Sequence, residues 1–374
     1  MMRKLFILLS ILLFNGIYAQ NITNSPFGKG LINITSRDSS WSSKVSFRFQ
    51  TRYDGYYRSF GPVFEDYSGR AYVRRARIKG DGYAFSPRLK YKFEYDVANG
   101  FVLDAVLKWN FHGNWVVWFG QTKLPSNIER VFSSQKLQLV DRSLLNSKFT
   151  LDRDAGVQLR HHFRLGKFLV REIVAISQGE GLNQKIMSSG NGYTGRIELL
   201  PFGEFTNKGD YIASDLEREE TLKLMLGITY DFNHNAMRSR GQMGDYIEGE
   251  LRSLRSIISD IHLKYRGFSL MGEYANRITT NGSPVINNNQ IYYTGSAINL
   301  QMGYLTKKNW EIAYRYTRVI PEAITLNNHM KQYTFGFSKY IVGHNLKLQS
   351  DISYTCEDNL DDIIIFRLQT EFNF

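Results

Sequence analysis

The sequence holds one cysteine, Cys356, and only seven prolines. A single thiol cannot close an internal disulfide, so a fold held by internal staples is excluded. Beyond the first twenty residues no long apolar run occurs. The strongest, 115–119 and 363–366, fall far short of the ~20 residues that a transmembrane helix needs. No Pro- or Ser-rich stretch and no shift in composition marks a boundary between two domains. Catalytic signatures are lacking as well: neither a Gly-x-Ser-x-Gly elbow nor a phosphate-cradling Gly-Lys-Ser/Thr loop is present. The seven histidines are scattered, and the adjacent His161 and His162 fall on opposite faces of one strand, which prevents joint chelation. Asp231-Phe232-Asn233 opens like a calcium loop, but Ala236 stands where that loop needs Gly and Gln242 where it needs Glu. No enzymatic activity, metal, cofactor or nucleic-acid partner is therefore expected.

What the chain does have begins with an export signal. Arg3 and Lys4 precede an apolar stretch over 5–14, and Ala19 offers a small residue at a cleavage edge. Residues 1–19 read as a signal peptide, 20–43 as a periplasmic lead segment and 44–374 as one domain. No Cys follows the cut, which excludes a lipoprotein anchor. Tyr (23) and Phe (25) are abundant, and the net charge is +12, or +10 without Arg3 and Lys4. Such an excess suits either solubility and anionic surfaces or a pore that favours anions.

The abundant aromatic and aliphatic residues alternate with polar ones. Val45, Phe47, Phe49, Thr51 and Tyr53 oppose Ser46, Arg48, Gln50 and Arg52, and Leu89, Tyr91, Phe93 and Tyr95 oppose Lys90, Lys92, Glu94 and Asp96. Leu103, Ala105, Leu107 and Trp109 repeat the pattern, as do Leu222, Leu224, Leu226, Ile228 and Tyr230. A period of two over ~9–11 positions marks strands that face lipid on one side and a polar lumen on the other. Sixteen such segments can be counted, and short joints mostly alternate with long connections, as in bacterial barrels. The long ones include 54–70, 125–152, 233–259 and 278–289. The stretch 200–220 is long where the scheme wants a short turn, either through an insertion or through a slipped count. The last segment carries Ile364, Phe366, Leu368, Thr370, Phe372 and Phe374 on one face, suited to pair with the first and leave no edge. The fold class expected is an all-β, 16-stranded antiparallel transmembrane β-barrel in the bacterial outer membrane, in contact with lipid and lipopolysaccharide.

Several segments resemble the phosphate-selective porin O/P family: Tyr72-Val73-Arg74-Arg75-Ala76-Arg77, Gly120-Gln121-Thr122-Lys123-Leu124-Pro125, and the stretch from Gly195-Arg196 through Pro201-Phe202 to Gly209-Asp210-Tyr211. Asp141-Arg142-Ser143 and Glu273-Tyr274 fit as well. The resemblance implies a homotrimer of barrels whose third long loop, here 125–152, folds inward to narrow the pore. It also implies pore cations at Arg74 and Arg75 on the second strand, Lys123 at the end of the fifth and Arg130 on the third loop.

Strand phase bears on these cations independently. Adjacent Arg74 and Arg75 cannot both point inward from a regular strand. The phase with Arg75, Arg77 and Lys79 inside, and Tyr72, Ala76 and Ile78 outside, is favoured, because the reverse exposes three cations to lipid at ~2–4 kcal/mol each near the midplane. Arg74 then belongs near an interface or beside a bulge that turns it inward. The plain alternative for each cation is a solvated lumen residue without a selective role. Glu94, Asp96, Asp104, Glu311, Asp351 and Glu371 also fall on the lumen face and offer the cations partners. The expected function is passive diffusion of small anionic or neutral solutes, with phosphate the anion implied by the resemblance. An outer-membrane hydrolase and a surface glycan-binding β protein are the alternatives.

Overall fold

The computed structural model describes residues 30–60, 63–187, 189–287 and 290–374; the expected signal peptide lies outside these. Alternating sequence produces sixteen wall strands: β1 (Trp41–Phe60), β2 (Val63–Ala84), β3 (Ser86–Asp96), β4 (Phe101–His112), β5 (Trp115–Lys123), β6 (Arg153–Leu165), β7 (Phe168–Ser177) and β8 (Gly192–Leu200) form the first half. The second half is β9 (Lys223–Ala236), β10 (Arg252–Tyr265), β11 (Phe268–Thr279), β12 (Gly295–Leu305), β13 (Trp310–Pro321), β14 (Met330–Val342), β15 (Leu346–Glu357) and β16 (Ile363–Asn373). Each strand pairs antiparallel with its sequence neighbours, and β16 pairs with β1 from Ile363↔Arg58 to Asn373↔Arg48. The wall therefore has no free edge, and its backbone is satisfied without water. Phe374 completes the seam: its N–H donates to Phe47 O at 3.0 Å, and Phe47 N–H donates to Phe374 O at 2.9 Å. Of the expected lead segment, Ile32–Thr35 forms a short strand against the start of β1, which itself begins at Trp41.

The two faces differ as the alternation requires. Along β9, Leu226 and Ile228 are 38% and 52% exposed on the outside, while Thr229 between Ile228 and Tyr230 is fully buried inside. Three sequence-based expectations change. The 54–70 stretch is not a loop: β1 and β2 continue as a long hairpin with cross-strand pairs from Asp54↔Arg70 to Tyr57↔Tyr67. The 233–259 connection shrinks to 237–251 because β9 and β10 run on at both ends. Leu103, expected to face lipid, lines the lumen; a register shift between Glu94↔Asp104 and Tyr95↔Val102 makes it the extra residue of a bulge.

The 200–220 irregularity is an insertion and not a slipped count, for β8 ends at Leu200 and β9 starts at Lys223 with their pairing in register. Two connections turn into the barrel: the third loop, 124–152, with helices α1 (Ile128–Val131) and α2 (Leu144–Phe149), and the turn 201–222. Together they fill one side of the lumen.

Candidate functional site

The third loop is held by side chains that the strand period points inward. Lys347 Nζ donates to Leu137 O at 2.9 Å, and Gln349 Nε2 donates to Gln138 O at 2.8 Å. Val140 N–H donates to Asp351 Oδ2 at 2.9 Å. Arg277 donates to the carbonyls of Lys148 and Phe149, both at 3.0 Å, and Arg315 donates to Asp141 O at 2.8 Å. A backbone taken out of water must find partners for its polar groups. The lumen cations of β11, β13 and β15 supply them, so they serve the loop and leave the other half of the wall to face open space.

That open space is a cavity of about 1130 Å³. Its lining runs from β2 to β8, with the third loop on the far side. Fifteen lysines and arginines border it against six aspartates and glutamates. Several of these charges cancel locally. Arg77 pairs with Glu94 at 3.0 Å and Asp96 at 3.2 Å, Lys92 with Asp104 at 2.6 Å, and Arg153 with Asp104 at 3.1 Å. Elsewhere in the lumen Arg48 pairs with Glu371 at 2.6 Å, and Arg367 with Asp351. Lys108, Arg160, Arg74 and Arg75 have no carboxylate partner among the described residues. Lys108 Nζ and Arg160 Cζ each lie 3.8 Å from the Trp118 ring centroid, held by the ring instead of by a counter-charge.

The five residues marked in the sequence meet different fates. In β2 the register passes from Gln50↔Arg75 to Thr51↔Val73, so Arg74 is the extra residue of a β-bulge. The bulge lets Arg74 and Arg75 both border the cavity. It also moves Tyr72 to the inside, contrary to the regular phase: Tyr72 Oη donates to Asp54 Oδ2 at 2.9 Å, while Val73 is turned out. Arg75 is buried, and its Nη1 donates to Gln50 Oε1 at 2.6 Å. Arg77 is neutralised as above. Lys123 directs its ammonium at three carbonyls, those of Arg130 at 2.8 Å, Val131 at 3.1 Å and Phe132 at 2.8 Å, and so caps the C-terminal end of α1. Arg130 pairs with Asp152 and borders the cavity.

The sequence marks Arg142 only as part of a shared motif, yet it borders the same cavity. Its Nη2 donates to Phe132 O at 2.8 Å and its Nε to Glu129 O at 3.0 Å. Burial lowers the guanidinium to about 10; Glu129 opposes that shift and Arg153 adds to it. Arg130 is likewise pushed well below its ordinary value by burial and by the cations Arg142, Arg153 and Arg75. Arg74, Arg75, Arg130 and Arg142 thus border one cavity together, where an entering anion would meet several guanidinium groups at once. No group of His, Cys, Asp and Glu among the described residues is arranged to hold a metal ion.

A closed barrel with a lipid-facing exterior and a charged internal cavity defines an outer-membrane channel of the porin class. The chain belongs to the phosphate-selective porin O and P family, whose model it matches over residues 44–359. Among solved structures it is similar to the outer membrane channel DcaP of Acinetobacter baumannii, with a TM-score of 0.57 and 14% identity over 92% of this chain and 100% of that one. It is also similar to an anion-selective porin from Comamonas acidovorans (TM-score 0.54, 11% identity, 89% and 100% covered) and to the trimer form of OmpT from Vibrio cholerae (0.52, 13%, 89% and 99%). At these identities the likeness establishes the fold. Among curated proteins none matches the chain.

Proposed function

We propose that the chain is an anion-preferring diffusion channel that assembles as a homotrimer, admits small anions including phosphate, and is exported by cleavage of residues 1–19. The observation that carries the anion preference is the Arg74–Arg75 bulge. It turns two guanidinium groups without carboxylate partners to the cavity, across from Arg130 and Arg142. Guanidinium forks replace part of an oxyanion's hydration with paired hydrogen bonds. Flow also requires that the ion can leave, and a cluster solvated on its cavity side meets that need better than an enclosed cage. The Comamonas neighbour is described as anion-selective and one OmpT form as a trimer, which accords with this reading.

The test is current through single channels while phosphate is titrated into KCl. The wild-type current should fall with phosphate in a saturable way. Arg74→Ala and Arg75→Ala should each weaken the block by several-fold, whereas Arg88→Ala, at the edge of the cavity, should leave it nearly unchanged. A block that is absent, or that survives both arginine substitutions, contradicts the assignment.

A further inference from the structure

The turn 201–222 is as long as an outer loop, yet it lies at the end of the barrel where most connections are two to four residues, such as Gly166-Lys167 and Arg266-Gly267. It rises into the lumen and meets the third loop. Phe205 and Ala213 of the turn share one buried apolar cluster with Ile128, Phe132 and Leu137 of the loop. His262 of β10 lies between the two connections, its ring centroid 5.6 Å from that of Phe205 and 5.4 Å from that of Phe132. The backbones join as well: Ala213 N–H donates to Lys136 O at 3.1 Å.

β10 and the two short turns that follow β10 and β12 fix the turn 201–222. Lys264 Nζ donates to Gly209 O at 2.8 Å and Ser214 O at 2.6 Å. Gly267 N–H donates to Asp215 Oδ2 at 2.7 Å, and Arg218 Nη2 donates to Thr306 O and Asn309 Oδ1, both at 2.7 Å. Its cavity side is different. Asn207 and Lys208 hold consecutive left-handed conformations, φ 50° and 58°; asparagine adopts this region readily, and a lysine does so uncommonly. Asn207 is tied back to Glu217 at 3.0 Å, while Lys208 is exposed and borders the cavity beside Glu204 and Tyr211.

We propose that the turn 201–222 is a second constriction of the channel, with Lys208 as its pore-facing residue. The third loop narrows the passage from its own side, and the turn closes the lumen beneath it along β9 to β13. A solute then leaves past Lys208 along the β3–β8 wall. This concerns the width of the passage and stands whichever ion the channel prefers.

The experiment places one thiol at this point, Lys208→Cys, in a Cys356→Ser background. The folded protein is treated with a sulfonate-bearing methanethiosulfonate and, separately, with a cationic reagent of similar size, and attachment is verified by mass. Both labels should lower single-channel conductance by a clear step, and the sulfonate should in addition shift the reversal potential towards cation permeation. Labelled protein that conducts like the unlabelled protein overturns the proposal. So does a thiol that stays unreactive in the folded channel but reacts after boiling.

Discussion

Glu129, on the third loop, is buried and carries several bonds at once. It accepts from Ser143 Oγ at 2.6 Å, from Ser143 N–H at 3.1 Å and from Arg315 Nη1 at 3.3 Å. Removing one member of a buried ion pair costs about 3–5 kcal/mol, because the other charge is left without compensation. Glu129→Ala should therefore lower the temperature at which the compact gel form converts to the unfolded one, and it should make the open current noisier. An unchanged conversion temperature and a quiet current would mean that the loop does not depend on this carboxylate. The same scale shows what a sequence reveals about pore residues. Residue type and phase marked Arg75 and Arg77 as internal. They also raised a bulge as one way to bring Arg74 in, but not where the inserted residue would change the phase, so Tyr72 was assigned to the wrong face. Lys123 has the right chemistry for an anion and the right strand position, yet its three donors are taken by carbonyls of the loop. That geometry depends on how α1 is folded, which no strand pattern carries.

At the scale of elements, the two inward connections are packed against a wall shaped to receive them. Gly336 of β14 faces Leu139 of the third loop, and a Cβ added there would overlap Leu139 Cδ2. Overpacking of this kind costs about 1–3 kcal/mol. Gly336→Val should displace the loop tip and change single-channel conductance, with folding confirmed by gel mobility; conductance equal to wild type would show that the tip is not seated on this glycine. Lys123→Met should act on the other end of the same loop, releasing the C-terminal carbonyls of α1 and giving frequent brief transitions between current levels. A steady single level would contradict the capping role. The strands were legible because period-two alternation is enforced by lipid on one side and polar lumen on the other. The length of 201–222 was legible too, as an anomaly. Its inward path was not, since it depends on Phe205 and Ala213 meeting Phe132 and Lys136 of the third loop and on Asp210 reaching Arg171 of β7, contacts between segments far apart in the chain.

For the whole molecule, closure and charge act together. Sixteen strands joined by the β16–β1 seam leave no backbone edge towards lipid. The two connections then divide the interior into a packed side, where lumen cations bind the third loop, and an open side, where cations outnumber carboxylates. Net charge alone did not distinguish a soluble surface from a basic pore; the division of the lumen adds which cations are already engaged with the third loop and which border the open side. The open side is expected to conduct anions in preference to cations. The most direct measurement is the reversal potential of the wild-type channel in a planar bilayer under a KCl gradient. A potential displaced towards the chloride equilibrium value is the predicted result, and a potential at zero or displaced towards potassium would contradict it.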